Sequence, residues 1–283
     1  MSTQLSLITE PSARIPGMID QSIAALPISL RPGDIDSAGT HAASPASSNP
    51  ALDGTDLLAI AGDPGWTGRA GEAIAAGYRG LLIVRPRPED AGELIALAAS
   101  TPVVILTDWA SNAAVGAHHA AATELIAARA FVEVSADLPP EEDLELALAA
   151  QLALLHALGG EIASITLHEH GAGGFRVVGA LEQGGEFQLS GRLTTSRPRG
   201  ARVRLIGADT TVVLELPDPA IALRARVDIW SPGHHDDRAT LWENAPRTAL
   251  RRLVSAVHTG TATVDLTRYE HERRIQMGLF PTS

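Results

Sequence analysis

Between residues 57 and 106, short apolar runs alternate with helix-forming stretches. The runs are 57–61 (Leu-Leu-Ala-Ile-Ala), 80–84 (Gly-Leu-Leu-Ile-Val) and 103–106 (Val-Val-Ile-Leu). Residues 67–76 and 89–99, between them, are dominated by helix formers. Strand-length apolar runs separated by helical patterns predict parallel strands joined by crossover helices. Right-handed crossovers then make this half of a doubly wound sheet. Upstream, residues 5–8 and 28–30 predict two more short strands around a helix at 12–25, weakened at its start by Pro16-Gly17. Residues 33–54 are rich in Gly, Ala, Ser, Pro and Asp and read as a loop. A complete sheet of this type often has another strand and helix there.

Downstream, helices are predicted at 112–128 and 141–158, with a strand at 131–135 between them. Pro139-Pro140-Glu141-Glu142 is expected to open the second helix, and Gly159-Gly160 to end it. From residue 161 the texture becomes alternating. Strands are predicted at 161–170, 175–182, 186–195, 202–206, 211–216 and 222–230, separated by glycine-containing turns. This pattern predicts an antiparallel sheet with one face toward helices. Helices at 242–257 and 267–279 close the chain. The expected fold class is α/β: a truncated Rossmann-like parallel-sheet domain over residues 1–126, reduced by the loop at 33–54. An α+β domain with an open, mostly antiparallel sheet follows over 127–283.

Composition narrows the chemistry. The chain has 283 residues and a formal net charge of −11, which argues against binding a phosphate backbone. There is no cysteine, so disulfides, thiolate metal sites and cysteine nucleophiles are excluded. There is no lysine either, which removes Schiff-base chemistry. No apolar stretch is long enough for a membrane span and no signal peptide is evident, so a cytoplasmic protein is expected. The first turn of the parallel unit, Thr9-Glu10-Pro11-Ser12-Ala13-Arg14, lacks the glycines that let backbone N–H groups approach a pyrophosphate. Glu10 would set a negative charge near the phosphates, and Pro11 removes a donor.

Residues 57–99, including AIAAGYRGLLIVRPRPEDAGELIALAA, resemble the central segment of the Gfo/Idh/MocA oxidoreductases. In that family a Glu-Lys-Pro motif follows the strand. Residues 144–161 resemble the family helix that ends in Leu-Leu-Gly-Glu, and 203–216 (VRLIGADTTVVLEL) resemble its hairpin. Residues 253–260 and 269–277 resemble its closing helices. The resemblance implies NAD(P), hydride transfer on a sugar or cyclitol, and pairing of subunits through the C-terminal sheet. The family's functional residues do not carry over. Its lysine position is held by Arg85, which stays protonated and cannot shuttle a proton. Its acid–base pair falls at Leu146 and Ala150, or at Glu145 and Ala149 after a shift of one; Gln151 is a polar neighbour. His156 lies too far along the helix to replace the histidine. The family's histidine after the central strand is replaced by Trp66.

The expectation is therefore a pseudo-dehydrogenase that needs no cofactor and acts as a non-redox subunit or ligand-binding protein. The alternatives are an active NAD(P)-dependent oxidoreductase on a polyol, and a redox-independent lyase or isomerase using the old cleft. Candidate catalytic residues are Arg85, Glu145 and His156. Candidate ligand-binding residues are Asp63, Trp66 and Arg85, just beyond central strands, where such sheets bind ligands. His234-His235-Asp236-Asp237, expected in a turn, is a weak metal candidate; the bland reading is a solvated loop. His168 and His170, sharing a strand face, could form a site with His118-His119 or His156. No G-x-S-x-G elbow or P-loop is present. Expected partners are a second copy or a catalytic relative, with a small-molecule ligand. Nucleic acid and membrane are not expected.

Overall fold

The computed structural model describes residues 4–26, 30–33, 56–221, 223–240 and 242–279. Apart from Gly33, the loop expected at 33–54 lies mostly outside them, as do residues 28 and 29 of the second predicted strand. The chain divides into two compact units. The first comprises residues 1–106 and 246–270, the second 107–245 and 271–283. The division falls at Leu106 rather than at 126, and the closing segment returns in part to the first unit. The physical reason is helix α5 (Ala113–Ala127), whose Val115, Ala122 and Ile126 are buried in the core of the second unit. A boundary at 126 would cut through this helix.

The first unit is built on a parallel sheet of order β2-β1-β3-β4-β5. Its strands are β1 (Leu5–Thr9), β2 (Leu30–Pro32), β3 (Asp56–Ala61), β4 (Gly80–Val84) and β5 (Val103–Leu106). The apolar runs of β1, β4 and β5 are buried along their whole length, as a sheet covered on both faces requires. Helices α3 (Trp66–Ala75) and α4 (Gly92–Leu97) provide the crossovers. Helix α7 (Ala245–Thr259) packs so closely on Gly80 that a Cβ there would lie 2.7 Å from Val257 Cγ2. The outer edge of β5 is tied down by side chains. Asp265 accepts the Ile105 N–H at 3.0 Å and pairs with Arg252, while the Thr263 hydroxyl donates to Val103 O. The helix expected at 12–25 is broken into α1 (Pro11–Arg14) and α2 (Ile19–Ala24). Ile15 keeps helical backbone, but Pro16 has no N–H to continue the helix, and Met18 turns the chain at a left-handed φ of 45° before α2 begins.

The second unit carries a mixed sheet of order β13-β12-β11-β10-β6-β9-β8-β7. Its strands are β6 (Phe131–Leu138), β7 (Ile162–Gly171), β8 (Gly174–Leu181), β9 (Glu186–Leu193), β10 (Gly200–Ile206), β11 (Thr211–Pro217), β12 (Arg226–Ser231) and β13 (His234–Arg238). All neighbours pair antiparallel except β6 with β9. One face buries Val132, Val134, Leu189, Val203, Leu214 and Val227 against α5 and α6 (Leu144–Ala157). Helix α6 is apolar on nearly every side because it lies within that core. Its cap is Asp143, whose Oδ1 accepts the N–H groups of Glu145 and Leu146, and not the Pro139-Pro140 pair. The opposite sheet face is polar. Glu133 faces Arg204 and Arg202 faces Glu215 across adjacent strands, and both pairs are bonded through their side chains. Helix α8 (Asp265–Leu279) closes the described chain.

Candidate functional site

Ligands of open parallel sheets bind beyond the carboxyl ends of the strands. In the first unit that edge is formed by Thr9-Glu10, Gly62-Asp63 and Arg85-Pro86. Glu10 turns back over the sheet. Its Oε2 accepts the Ala61 N–H at 2.9 Å, and its Oε1 accepts Arg69 Nε at 3.2 Å. The same guanidinium donates to Ala61 O at 2.7 Å and to Pro64 O at 3.2 Å. An internal ion pair therefore bridges the ends of β1 and β3. Within it, Glu10 also engages the Ala61 N–H.

The neighbouring corner is tightly built. A Cβ on Gly62 would lie 2.2 Å from Pro86 Cα and 2.5 Å from Arg85 O. Arg87 N–H donates to Gly62 O at 2.8 Å, and Gly62 N–H to Val84 O at 2.8 Å. Arg85 takes a left-handed φ of 50°, uncommon outside glycine, and is half-buried at the end of β4. Asp63 is exposed. It does not cap α3. Glu89 does so from a distance in sequence, its two carboxylate oxygens accepting the N–H groups of Gly65 at 2.8 Å and Thr67 at 3.1 Å.

Trp66 corrects an expectation. It is fully buried, so its ring is not open to a sugar or a base. Its Nε1 donates to Arg87 O at 3.1 Å, and its ring meets Tyr269 edge-on at 5.3 Å. A large apolar residue on the first turn of a crossover helix points under the turn, into the core, and the indole N–H is satisfied there by backbone.

In the second unit, Glu145 stands exposed in the first turn of α6. Gln151 is fully buried and donates from Nε2 to Ser190 O at 2.8 Å. His156, near the other end of α6, is buried, with Nδ1 3.0 Å from Glu272 Oε1. Glu145 and His156 are eleven positions apart on a helix of 14 residues, so they do not converge on one substrate.

His234-His235-Asp236-Asp237 does not form the expected turn. These residues make strand β13, paired with β12 after the two-residue reversal at Pro232-Gly233. Alternation sends His234 and Asp236 to one side and His235 to the other. His235 Nε2 lies 3.0 Å from Asp228 Oδ1 and its ring stacks on Trp230, while Asp236 pairs with Arg238. His118 and His119 face backbone carbonyls of Ala114 and Ala157. His168 and His170 border a cavity of about 1350 Å³ in the second unit, shared with Arg176, Arg192 and Trp242.

One charged centre escaped the sequence reading. Arg199, before β10, is almost buried and pairs with Asp108, Glu142 (3.2 Å) and Asp218 (3.7 Å), its guanidinium 5.2 Å from the Trp109 ring. Burial by itself would lower its pKa. The carboxylates of Asp108, Glu142 and Asp218 outweigh that and push it up. The Ser-Arg-Pro-Arg-Gly run at 196–200 reads as a plain surface turn, and the three acids come from distant segments.

The sequence matches no family model and no curated protein. Its fold matches solved structures across nearly their whole length. UDP-N-acetylglucosamine 3-dehydrogenase from Acidithiobacillus ferrooxidans is 15% identical with a TM-score of 0.68, over 98% of this chain and 97% of that one. A 3-ketoreductase from Actinomadura kijaniata, solved in complex with NADP, is 14% identical with a TM-score of 0.67, over 98% and 97%. A dehydrogenase from Chromobacterium violaceum is 12% identical with a TM-score of 0.65, over 99% and 94%. At these identities the likeness is one of fold: a Rossmann-like parallel sheet followed by a mixed, mostly antiparallel one.

Proposed function

We propose that this chain is a Gfo/Idh/MocA-like protein that binds no dinucleotide in the ordinary position and acts as a non-redox subunit or ligand-binding protein. The observation that carries this reading is the Glu10–Arg69 pair, seated at the ends of β1 and β3 with Glu10 holding the Ala61 N–H. A pyrophosphate at that edge would meet a carboxylate, a proline and no glycine-opened backbone. The residues present do not fit the nicotinamide dinucleotide, and no hydride-transfer step is assigned to them. Arg85 and Asp63 remain at the same edge as groups for a small polar ligand. Assembly is part of the proposal, and the exposed apolar side chains of Ile221, Leu223 and Trp242 in the second unit support it. The partner is a second copy or a catalytic relative.

A ligand that binds only the folded state raises its stability, by about 2.7 kcal/mol at a hundredfold excess over Kd. Thermal unfolding with saturating NAD+, NADH, NADP+ or NADPH is expected to leave Tm unchanged. A dose-dependent rise with any of them overturns the proposal. The second reading, an active NAD(P)-dependent oxidoreductase on a sugar or cyclitol, is favoured by the similar 3-ketoreductase having been solved with NADP. It requires hydride transfer from NADPH to a member of a keto-sugar panel.

A further inference from the structure

We propose that His156, Glu161 and His271 form a binding site for a divalent transition-metal ion of the zinc class. All three residues belong to the second unit. One ligand atom from each lies within 4.8 Å of the others. The proposal is independent of whether a nicotinamide binds elsewhere.

The local sequence explains the convergence. Helix α6 ends at Ala157, and Gly159 takes a φ of 91°, which reverses the chain. Gly159 N–H bonds His156 O at 2.9 Å and Gly160 N–H bonds Leu155 O at 3.1 Å. The reversal brings Glu161 back to His156, its Oε2 4.0 Å from Nε2. Helix α8 supplies the third group: the His271 ring lies 5.4 Å from that of His156, tilted by 52°.

The buried imidazole supplies the second, independent observation. Its Nδ1 is 3.0 Å from Oε1 of the buried Glu272, and in the Nδ1–H tautomer it donates a hydrogen bond to that carboxylate. This leaves the Nε2 lone pair outward, and Nε2 is buried without a hydrogen-bond partner. An unsatisfied buried polar atom is costly. Glu161, 4.0 Å away, is itself an acceptor when ionised. A cation between the two resolves the conflict. A metal-ligating histidine whose other nitrogen donates to a carboxylate is the usual outer-shell arrangement, and Glu272 occupies that position. Two imidazoles and one carboxylate suit zinc over magnesium or calcium, and leave a fourth position for water. Bond lengths of about 2.0–2.2 Å put tetrahedral ligand atoms about 3.4 Å apart. The exposed side chains of Glu161 and His271 close that gap, while Glu272 holds His156. The ion would staple α8 to the end of α6.

The test uses the full chain, purified without an affinity tag, stripped with chelator and titrated with Zn2+ and with Co2+. The expected result is one ion per chain, a Co2+ visible spectrum of tetrahedral type, and a higher Tm with metal. Because Glu161 and His271 are exposed, Glu161→Gln and His271→Ala are expected to fold, and each is expected to weaken binding at least tenfold. Glu272→Gln, which leaves all three ligands in place, is expected to weaken it by about 10- to 100-fold. His234→Ala and His235→Ala are expected to leave affinity unchanged. Equal zinc affinity in wild type, Glu161→Gln and His271→Ala overturns the site and leaves His156 an ion-pair partner only. Absence of zinc binding in the wild type overturns it too.

Discussion

Replacing Arg199 by methionine keeps much of its volume and removes its charge. In the native chain the side chains of Arg199, Asp108 and Glu142 are 11%, 8% and 9% exposed. The variant therefore leaves two nearly buried carboxylates, and the half-buried Asp218, without their cation. Breaking a buried pair by removing one partner costs about 3–5 kcal/mol, because the surviving charge keeps its desolvation penalty. At about 2–4 °C per kcal/mol for a unit of this size, the Tm should fall by roughly 6–20 °C. Three acids surround one base, so the cost is asymmetric. Asp218→Asn, at the more exposed and longer contact, should cost less than about 1 kcal/mol. Adding Asp108→Asn and Glu142→Gln to Arg199→Met should recover part of the loss. Arg199 has a raised folded pKa, so its contribution is complete below the unfolded value and lost only as pH rises through the folded one. The loss on mutation should therefore be flat across neutral pH. Urea denaturation followed by circular dichroism measures these differences. A loss below about 1 kcal/mol for Arg199→Met would refute the cluster as a buried ionic hub.

Three further substitutions probe the carboxyl edge of the parallel sheet. Gly62→Ala should cost about 3 kcal/mol or more, since its Cβ would meet backbone atoms of Pro86 and Arg85 that cannot swing away; chemical denaturation reads this directly. Trp66→Ala should cost about 3–5 kcal/mol as a core truncation. A near-neutral change in the same assay would restore Trp66 as a surface ligand group. Glu89→Ala should cost about 1–2 kcal/mol by uncapping α3, with amide hydrogen exchange accelerated at Gly65 and Thr67 in particular.

Periodicity made the architecture legible. Apolar runs at 57–61, 80–84 and 103–106 became β3, β4 and β5, and alternation after residue 161 became the large sheet. Those signals are local, and burial enforces them. Side-chain partners were much less legible. Nothing near Glu89 says that it caps a helix 22 residues earlier, and nothing near Arg199 points to Asp108, 91 positions away. An aromatic beside a strand end can face the crevice or the core, and packing against Tyr269 holds Trp66 in the core. Pro232-Gly233 makes a turn of just two residues, so pairing resumes at once and the run at 234–237 lies in a strand instead of a turn. Glu10 is visible in the first turn, but nothing near it names Arg69, 59 positions on, as its partner.

The most direct test is a calorimetric titration of the full chain with NADPH, set beside one with the Glu10→Gly variant. No heat of binding to the wild-type chain is expected at any ligand concentration that saturates an ordinary dehydrogenase. Saturable one-to-one binding to the unaltered chain, with Glu10 and Arg69 intact, would contradict it.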